Sequence, residues 1–209
     1  MTITLYHHPL SPTLAPVLLT VRALGIDALV TQKEVDLCAG TSIHDFPSID
    51  DGGFCLSDSH AIVAYLANAY QDGDFLYPKD PKKRAKVDRW LHFSSSILYS
   101  RLVNMTEPLL NKRSKVVSEE MSERAEAAFK MIQDALGPGP WLCGDDMTLA
   151  DLCCVSLVAA IEIFIGDSNH YPKMSSWVEH CKKHVPGYME VVEAARQRYV
   201  TIITSRMNS

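Results

Sequence analysis

The sequence predicts a mixed α/β region followed by an all-helical region. Within residues 2–35, an alternating segment, a helical segment and a second apolar segment follow one another, which is typical of a β-α-β unit. A hairpin turn signal, Asp50-Asp51-Gly52-Gly53, lies between two further short strand-like segments. Beyond Pro81 only helical patterns are found. The expected order is therefore β-α-β, an irregular segment, β-β-α, and then a bundle of helices.

The β-α-β unit begins with a strand at residues 2–6, in which Ile3 and Leu5 share one face. Ser11 precedes Pro12, and a Ser before a Pro is a common start of a helix. We therefore expect Ser11 to cap a helix that starts at Pro12 and stops at Gly25. A second strand is expected at residues 29–35.

The hairpin is predicted to join strands at residues 46–49 and 54–56. Residues 38–45 between the two halves read as irregular. After the hairpin, Ser57-Asp58-Ser59 offers several N-cap residues for a helix whose apolar face includes Ile62 and Leu66.

The polar segment at residues 71–81 reads as a linker, because it contains Gly73, Pro78 and Pro81. We accordingly expect one domain at residues 1–76 and a second, all-helical domain at residues 77–209. Helical runs are predicted at residues 84–105, 121–136, 148–165, 174–184 and 188–203. The run at 148–165 is apolar nearly all round and opens with Thr148 and Asp151 in capping-box spacing, so it is predicted to be the buried central helix.

Composition limits the classes of function. The chain has 209 residues, 47% of them hydrophobic, and a formal net charge of -5, which gives no basic surface for nucleic acid or for an anionic membrane. No apolar run reaches the ~18 residues of a membrane-spanning helix, and the N-terminus lacks the features of a signal peptide. The six cysteines show no zinc spacing. A cytoplasmic protein without a metal site is expected.

Five short motifs in order then resemble one family. They are Leu10-Ser11-Pro12, Phe46-Pro47-Ser48-Ile49, Asp58-Ser59-His60-Ala61-Ile62, Leu76-Tyr77-Pro78-Lys79-Asp80 and Thr148-Leu149-Ala150-Asp151. Together they are similar to cytosolic glutathione S-transferases over essentially the whole chain. Leu91-His92-Phe93 followed by Glu107-Pro108 resembles the insect epsilon class, with the delta class as near neighbour. The resemblance implies a thioredoxin-like N-terminal domain with a cis-proline, a helical C-terminal domain, glutathione as co-substrate and a homodimer.

Ser11 is the residue to which the resemblance gives the catalytic role. Free glutathione has a thiol pKa near ~8.5 by analogy with cysteine, so the nucleophilic thiolate is scarce at neutral pH. Lowering the thiol pKa by ~2 units needs a preference of roughly 2.7 kcal/mol for the anion. A hydroxyl donor at a helix start supplies part of it. Tyr6 is the alternative, since other classes use a tyrosine near the end of the first strand.

The remaining glutathione contacts are also implied by the resemblance. Pro47 matches the cis-proline, which lets the backbone of Phe46 pair with the cysteinyl amide as an added strand does. Asp58 is expected to bind the γ-glutamyl ammonium, and Ser59 the carboxylate, with His60 beside them. His44 is the candidate for the glycyl end. An ordinary N-cap role for Asp58 and Ser59 remains the alternative.

The electrophile is expected between the two domains. By resemblance its site is lined by Leu10, Tyr99, Arg101, Leu102, Met105, Glu107 and Tyr199, although methionines and aromatics at helical spacing also fit an ordinary core. The expected function is conjugation of glutathione to hydrophobic electrophiles in detoxification. A weakly active or non-catalytic carrier of hydrophobic ligands is the alternative, because the segment before Pro47 is short and Ala15 stands where the family usually has arginine.

Overall fold

A computed structural model describes residues 2–8, 11–35, 46–166 and 170–208, with side chains up to residue 205. The strands are β1 (Ile3–His7), β2 (Val30–Glu34), β3 (Ser48–Asp51) and β4 (Phe54–Ser57). The helices are α1 (Leu14–Leu24), α2 (Ser59–Tyr70), α3 (Pro81–Phe93), α4 (Tyr99–Leu110), α5 (Glu119–Ala135), α6 (Leu149–Ile165), α7 (Pro172–His184) and α8 (Ala194–Asn208). This is a four-stranded mixed sheet with two helices, followed by a helical bundle, as the sequence predicts.

The sheet has the strand order β2-β1-β3-β4. Strand β1 pairs in parallel with β2 and antiparallel with β3, which forms a hairpin with β4. The hairpin turns at Gly52 and Gly53, with φ of 60° and 96°, values that suit glycine in a two-residue turn. The Gly53 N–H also donates to Asp50 Oδ1 at 2.8 Å. Pairing of β3 with β1 starts at Ser48 opposite Tyr6, later than the expected residue 46, because Pro47 has no N–H for the ladder.

Helices α1 and α2 cover the sheet with aliphatic side chains. Ile3, Leu5 and Ile49 of the sheet are at most 2% exposed, and they belong to one core with Val17 of α1 and Ile62 of α2. Alternate strand residues face this core, which is the period-2 pattern that predicted the strands.

Helix α6 is the centre of the bundle. Every side chain from Leu149 to Ala159 is buried, as the apolar run predicts. All three tryptophans of the chain are buried in the helical part: Trp90 in α3, Trp141 before α6 and Trp177 in α7. Residues 2–76 hold none of them.

The long run expected at residues 84–105 is three segments. Helix α3 is followed by a π-helical turn at Ser94–Leu98 and then by α4, which continues past Pro108 to Leu110. A second π-helical turn, Met189–Glu193, precedes α8. A π turn holds one extra residue, so side chains beyond it are rotated by about 100° from the uninterrupted helical phase. Within the part of the chain described here, no helix has the length and apolar character needed to span a membrane.

Candidate functional site

Ser11 lies in the turn between β1 and α1 and is only 7% exposed. Its hydroxyl donates to the carbonyl oxygen of Phe46 at 3.3 Å and lies 2.9 Å from the hydroxyl of Thr13. Because a hydroxyl carries a single hydrogen, the Thr13 hydroxyl is then the donor to Ser11 Oγ. Ser11 therefore connects the start of α1 to the residue before Pro47.

The start of α1 differs from the expected one. The helix begins at Leu14, with Thr13 as the residue before it and no side-chain cap bond, so Ser11 does not cap the helix and Pro12 does not begin it. Ser11 instead closes the turn through its backbone: its N–H donates to His8 O at 2.9 Å, and its carbonyl accepts from Leu14 N–H at 3.2 Å. The hydroxyl expected to serve the helix is thereby left for other partners.

The peptide bond between Phe46 and Pro47 is cis, as expected from the sequence. Pro47 is buried and Phe46 half-buried. The next residue, Ser48, pairs with Tyr6 at the end of β1, so the Phe46 backbone lies beside the turn that carries Ser11.

Asp58 and Ser59 form the start of α2, as expected. Asp58 has a positive φ of 75°, and its Oδ1 accepts the backbone N–H groups of His60 at 2.9 Å and Ala61 at 3.0 Å. The exposed carboxylate of Asp58 is thus an N-cap, whereas Ser59 is only 3% exposed. The Ser59 hydroxyl lies 3.3 Å from Nδ1 of His60.

His60 has an unusual environment at this helix start. Its Nε2 is buried and has no hydrogen-bond partner among the described residues. Burial lowers the pKa of His60 below its ordinary value, Asp58 raises it in part, and His92 of α3 lowers it further. The imidazole is therefore neutral at neutral pH.

Ser11 opens onto a cavity of about 360 Å³ between the sheet, α1 and the last helix; we call it the Ser11 cavity. Its wall includes His7, Ala15 and Glu34 on one side and Arg198 and Tyr199 of α8 on the other. Burial lowers the pKa of His7, while Glu34 raises it and His8 and Arg198 lower it. The wall is thus partly polar, whereas the electrophiles expected from the sequence are hydrophobic.

The residues expected around the electrophile do not form one group. Tyr199 lines the Ser11 cavity. Burial raises the pKa of Tyr199, and the electrostatic effect of the half-buried Tyr99 raises it further. Leu102 and Met105 are 0% and 1% exposed, because they continue the buried stripe of α4 with Leu98 and Leu109. They pack in the core and do not line the Ser11 cavity.

Arg101 and Glu107 line a different cavity, of about 220 Å³, between α4 and α5. The two cavities share no lining residue. Leu10 and His44 lie outside the described residues.

Thr13 is a site residue that the sequence reasoning missed. The available signal was a second hydroxyl two positions after Ser11, in Ser11-Pro12-Thr13. Arg198 and Glu34 were also missed, because only the folded chain brings α8 and β2 together at one cavity. Within the described ranges, no group of three or more histidine, cysteine, aspartate or glutamate side chains is arranged to hold a metal ion.

Comparison with known proteins identifies the family. The family model described as glutathione S-transferase, C-terminal domain, matches residues 81–184. Glutathione S-transferase 1 of Manduca sexta is 35% identical over 206 residues, covering 90% of this chain and 94% of that protein. Glutathione S-transferase D7 of Anopheles gambiae is 30% identical over 219 residues, covering 99% of both.

Solved structures agree with this relationship. A delta-class glutathione transferase of Nilaparvata lugens superposes with a TM-score of 0.89 at 33% identity, covering 98% of this chain and 99% of that one. A glutathione transferase homolog of Drosophila mojavensis, solved with bound glutathione, gives 0.88 at 28% identity, covering 98% and 97%. The chain therefore belongs to the glutathione S-transferase family and is a glutathione transferase of the insect delta/epsilon type.

Proposed function

We propose that this enzyme activates the thiol of glutathione with the hydroxyl of Ser11 and conjugates the thiolate to hydrophobic electrophiles. The observation that carries the proposal is the position of Ser11, at the wall of the cavity between the sheet, α1 and α8, next to the start of α1 and bonded to the Phe46 carbonyl. A hydroxyl that donates to sulfur favours the anion, and the N–H groups at the start of a helix add to the effect.

The glutathione would be bound by the elements on either side of Ser11. The backbone of Phe46, presented by the cis bond to Pro47, is suited to pair with the cysteinyl amide as an added strand does. The start of α2, with Ser59 and His60, is suited to the γ-glutamyl carboxylate. Asp58 caps this helix with one oxygen and would receive the ammonium group as well. His44 remains the proposed partner of the glycyl end by resemblance.

Binding would require an exchange of hydrogen bonds at Ser11. In the structure the Phe46 carbonyl accepts from the Ser11 hydroxyl. When the cysteinyl N–H donates to that carbonyl, the Ser11 hydroxyl is released to donate to the sulfur, while Thr13 continues to donate to Ser11 Oγ. The thiol proton leaves to solvent, and the thiolate attacks the electrophile held in the Ser11 cavity near Tyr199.

The test is Ser11→Ala, with Ser176→Ala on the exposed face of α7 as matched control. Loss of one donor to a developing anion lowers kcat/KM about 100-fold. The glutathione Kd, measured by calorimetry, is expected to change by less than about threefold, because the backbone and α2 contacts remain. Ser176→Ala should leave both quantities unchanged. An unaltered rate in Ser11→Ala with glutathione still bound would remove Ser11 from the mechanism.

A carrier of hydrophobic ligands is the second candidate. It is supported by Ala15, which lines the Ser11 cavity and brings no charge where the family usually has arginine. Calorimetry with glutathione and a conjugation assay with a chloro-nitro-aromatic electrophile separate the two candidates. Binding with turnover supports the enzyme, and ligand binding without turnover supports the carrier.

We also propose that residues 1–76 form the domain that binds glutathione and that residues 77–209 form the helical domain that carries the hydrophobic substrate site. Two chains are proposed to associate as a homodimer. The four strands all precede residue 58, and helices α3–α8 all follow residue 80, which supports the boundary. The family resemblance supports the dimer.

A further inference from the structure

Two histidines lie one turn apart on α7 and do not line the Ser11 cavity. His180 is half-buried, and His184, the last residue of the helix, is exposed. Residues four positions apart share one face of a helix, and two histidines at this spacing bind zinc in metalloproteases. We call these two side chains the α7 histidine pair.

The two imidazole rings of the pair lie side by side. Their centroids are 4.1 Å apart, and their planes differ by 27°. The His180 ring is also in edge-to-face contact with the indole of Trp141, at 4.5 Å between centroids. Two metal–nitrogen bonds of about 2.0–2.1 Å each span up to about 4 Å, so one ion can reach a nitrogen of each ring. A small tilt of the exposed His184 ring supplies the bent angle between the two bonds.

A hydrogen bond leaves one nitrogen of His184 available as a ligand. Its Nδ1 lies 2.9 Å from the carbonyl oxygen of His180. Because a carbonyl oxygen only accepts, Nδ1 carries the hydrogen, and in the neutral ring Nε2 carries the lone pair. Histidines that bind metals are held in the same way, with the second ring N–H donated to a backbone carbonyl or a carboxylate. The hydrogen bond therefore fixes the tautomer that a metal ligand requires.

The electrostatic surroundings of the pair also allow a cation. The pair reaches into the last turn of α7, where the helix dipole favours positive charge. Lys182 is paired with Glu179 at 2.6 Å. Lys183 places a positive charge near His180, but it acts across an exposed surface, where salt screens the repulsion.

We propose that the α7 histidine pair binds a divalent transition-metal ion, with one nitrogen of each imidazole as ligand and water in the other positions. Cu²⁺ is expected to bind most tightly, because it stands highest in the affinity order of these ions for nitrogen ligands. With two protein ligands, the site is more open than a structural zinc site, which has four. The expectation of no metal site rests on cysteine spacing, which does not bear on this pair. The proposal does not depend on the role of Ser11.

The test is a titration of the full chain with Cu²⁺, followed by NMR and by calorimetry. Cu²⁺ is paramagnetic and broadens the resonances of the side chains that bind it. We expect the imidazole Cε1–H resonances of His180 and His184 to broaden together, before that of the exposed His170. His184→Gln should lower the affinity of the site for Cu²⁺ about tenfold or more, because a second ligand on the same helix no longer adds to the first.

Two further variants are the controls. His170→Gln removes an exposed histidine outside α7 and should leave the affinity of the pair unchanged. Lys182→His, added to His184→Gln, restores the number of histidines but on another face of the helix, so it should not restore the affinity. Lys182 and His184 are both exposed, so these changes leave the core intact. Broadening of His180 without His184, unchanged affinity in His184→Gln, or affinity regained with Lys182→His would each overturn the proposal.

Discussion

The hydroxyl of Thr13 orients the hydroxyl of Ser11, the group proposed to face the glutathione sulfur. Thr13 precedes α1 but makes no cap bond, and its hydroxyl lies 2.9 Å from Ser11 Oγ. When Thr13 donates to Ser11 Oγ, the Ser11 hydrogen is directed away from Thr13, towards Phe46 in the structure and towards sulfur in the proposed complex. In that proposed complex Thr13 would act as a positioning residue.

Replacing Thr13 by valine is expected to lower kcat about three- to tenfold and to raise the pKa of the bound thiol, because Ser11 loses the bond that orients it. Helix stability should change little, since no cap bond is lost. Thr13→Ser should restore the rate. The thiol pKa is measured from the thiolate absorbance of the glutathione complex. A valine variant with unchanged pKa would show that Thr13 only fills space.

His60 gives a second prediction, on pH. Its pKa in the folded chain is lowered from 6.5, chiefly by burial, so the unfolded chain binds its proton more readily. Above pH 6.5 His60 is mainly neutral in both the folded and the unfolded chain, so its titration does not change the free energy of unfolding. As the pH falls below 6.5 the unfolded chain takes up the proton first, and stability is lost. His60→Gln should therefore lose less stability between pH 7.5 and pH 5.5 than the unmodified chain in urea unfolding. Equal losses would contradict it.

At the scale of elements, the start of α6 is held by one buried carboxylate. Asp151 is fully buried and accepts from Leu142 N–H at 2.8 Å, Thr148 N–H at 2.9 Å and Trp177 Nε1–H at 3.0 Å. The Thr148 hydroxyl also donates to it, at 3.3 Å. Burial raises the Asp151 pKa, and these hydrogen bonds offset part of that rise. One residue thus connects α6, α7 and the loop before α6.

Asp151→Asn is expected to lower the free energy of unfolding by about 2–4 kcal/mol, because an amide replaces one of two accepting oxygens by a donor. Thr148→Val, which removes the 3.3 Å donor and the Thr148 half of the capping box, should cost about 1 kcal/mol. Both values come from urea denaturation at pH 7. A larger loss in Thr148→Val than in Asp151→Asn would contradict this assignment.

The elements that were predicted well are those set by local sequence. The apolar run of α6 and the spacing of Thr148 and Asp151 are visible within a few residues, and so is the Gly52-Gly53 turn. The π-helical turn at Ser94–Leu98 was not predicted, because one extra residue in a turn leaves the apolar composition unchanged. The separation of Arg101 from Leu102 and Met105 follows from which helix lies opposite each face, and that is decided by the whole fold.

At the scale of the molecule, the sheet and the bundle are joined by backbone as well as side chains. The carbonyl of Leu76 accepts from Leu149 N–H, the first residue of α6, at 3.0 Å. The Ser11 cavity likewise has walls from both parts. Sequence patterns located both parts but gave no means of predicting the junction between them. The two residues that form it, Leu76 and Leu149, are 73 positions apart in the sequence (149 − 76) and meet only in the folded chain.

The proposed homodimer is tested by sedimentation velocity at micromolar concentration. We expect one species of twice the 23.3 kDa chain mass. A species of 23.3 kDa under these conditions would contradict the proposal and would favour a chain that acts alone.

The placement of the tryptophans makes the bundle and the sheet optically distinguishable. Trp90, Trp141 and Trp177 are all buried in the helical part, and the Trp177 indole donates to Asp151. Intrinsic fluorescence excited at the indole band therefore reports the bundle directly and the sheet only through its attachment. Unfolding curves from fluorescence and from far-ultraviolet circular dichroism will coincide if the two parts melt as one unit, and will separate if the sheet melts first.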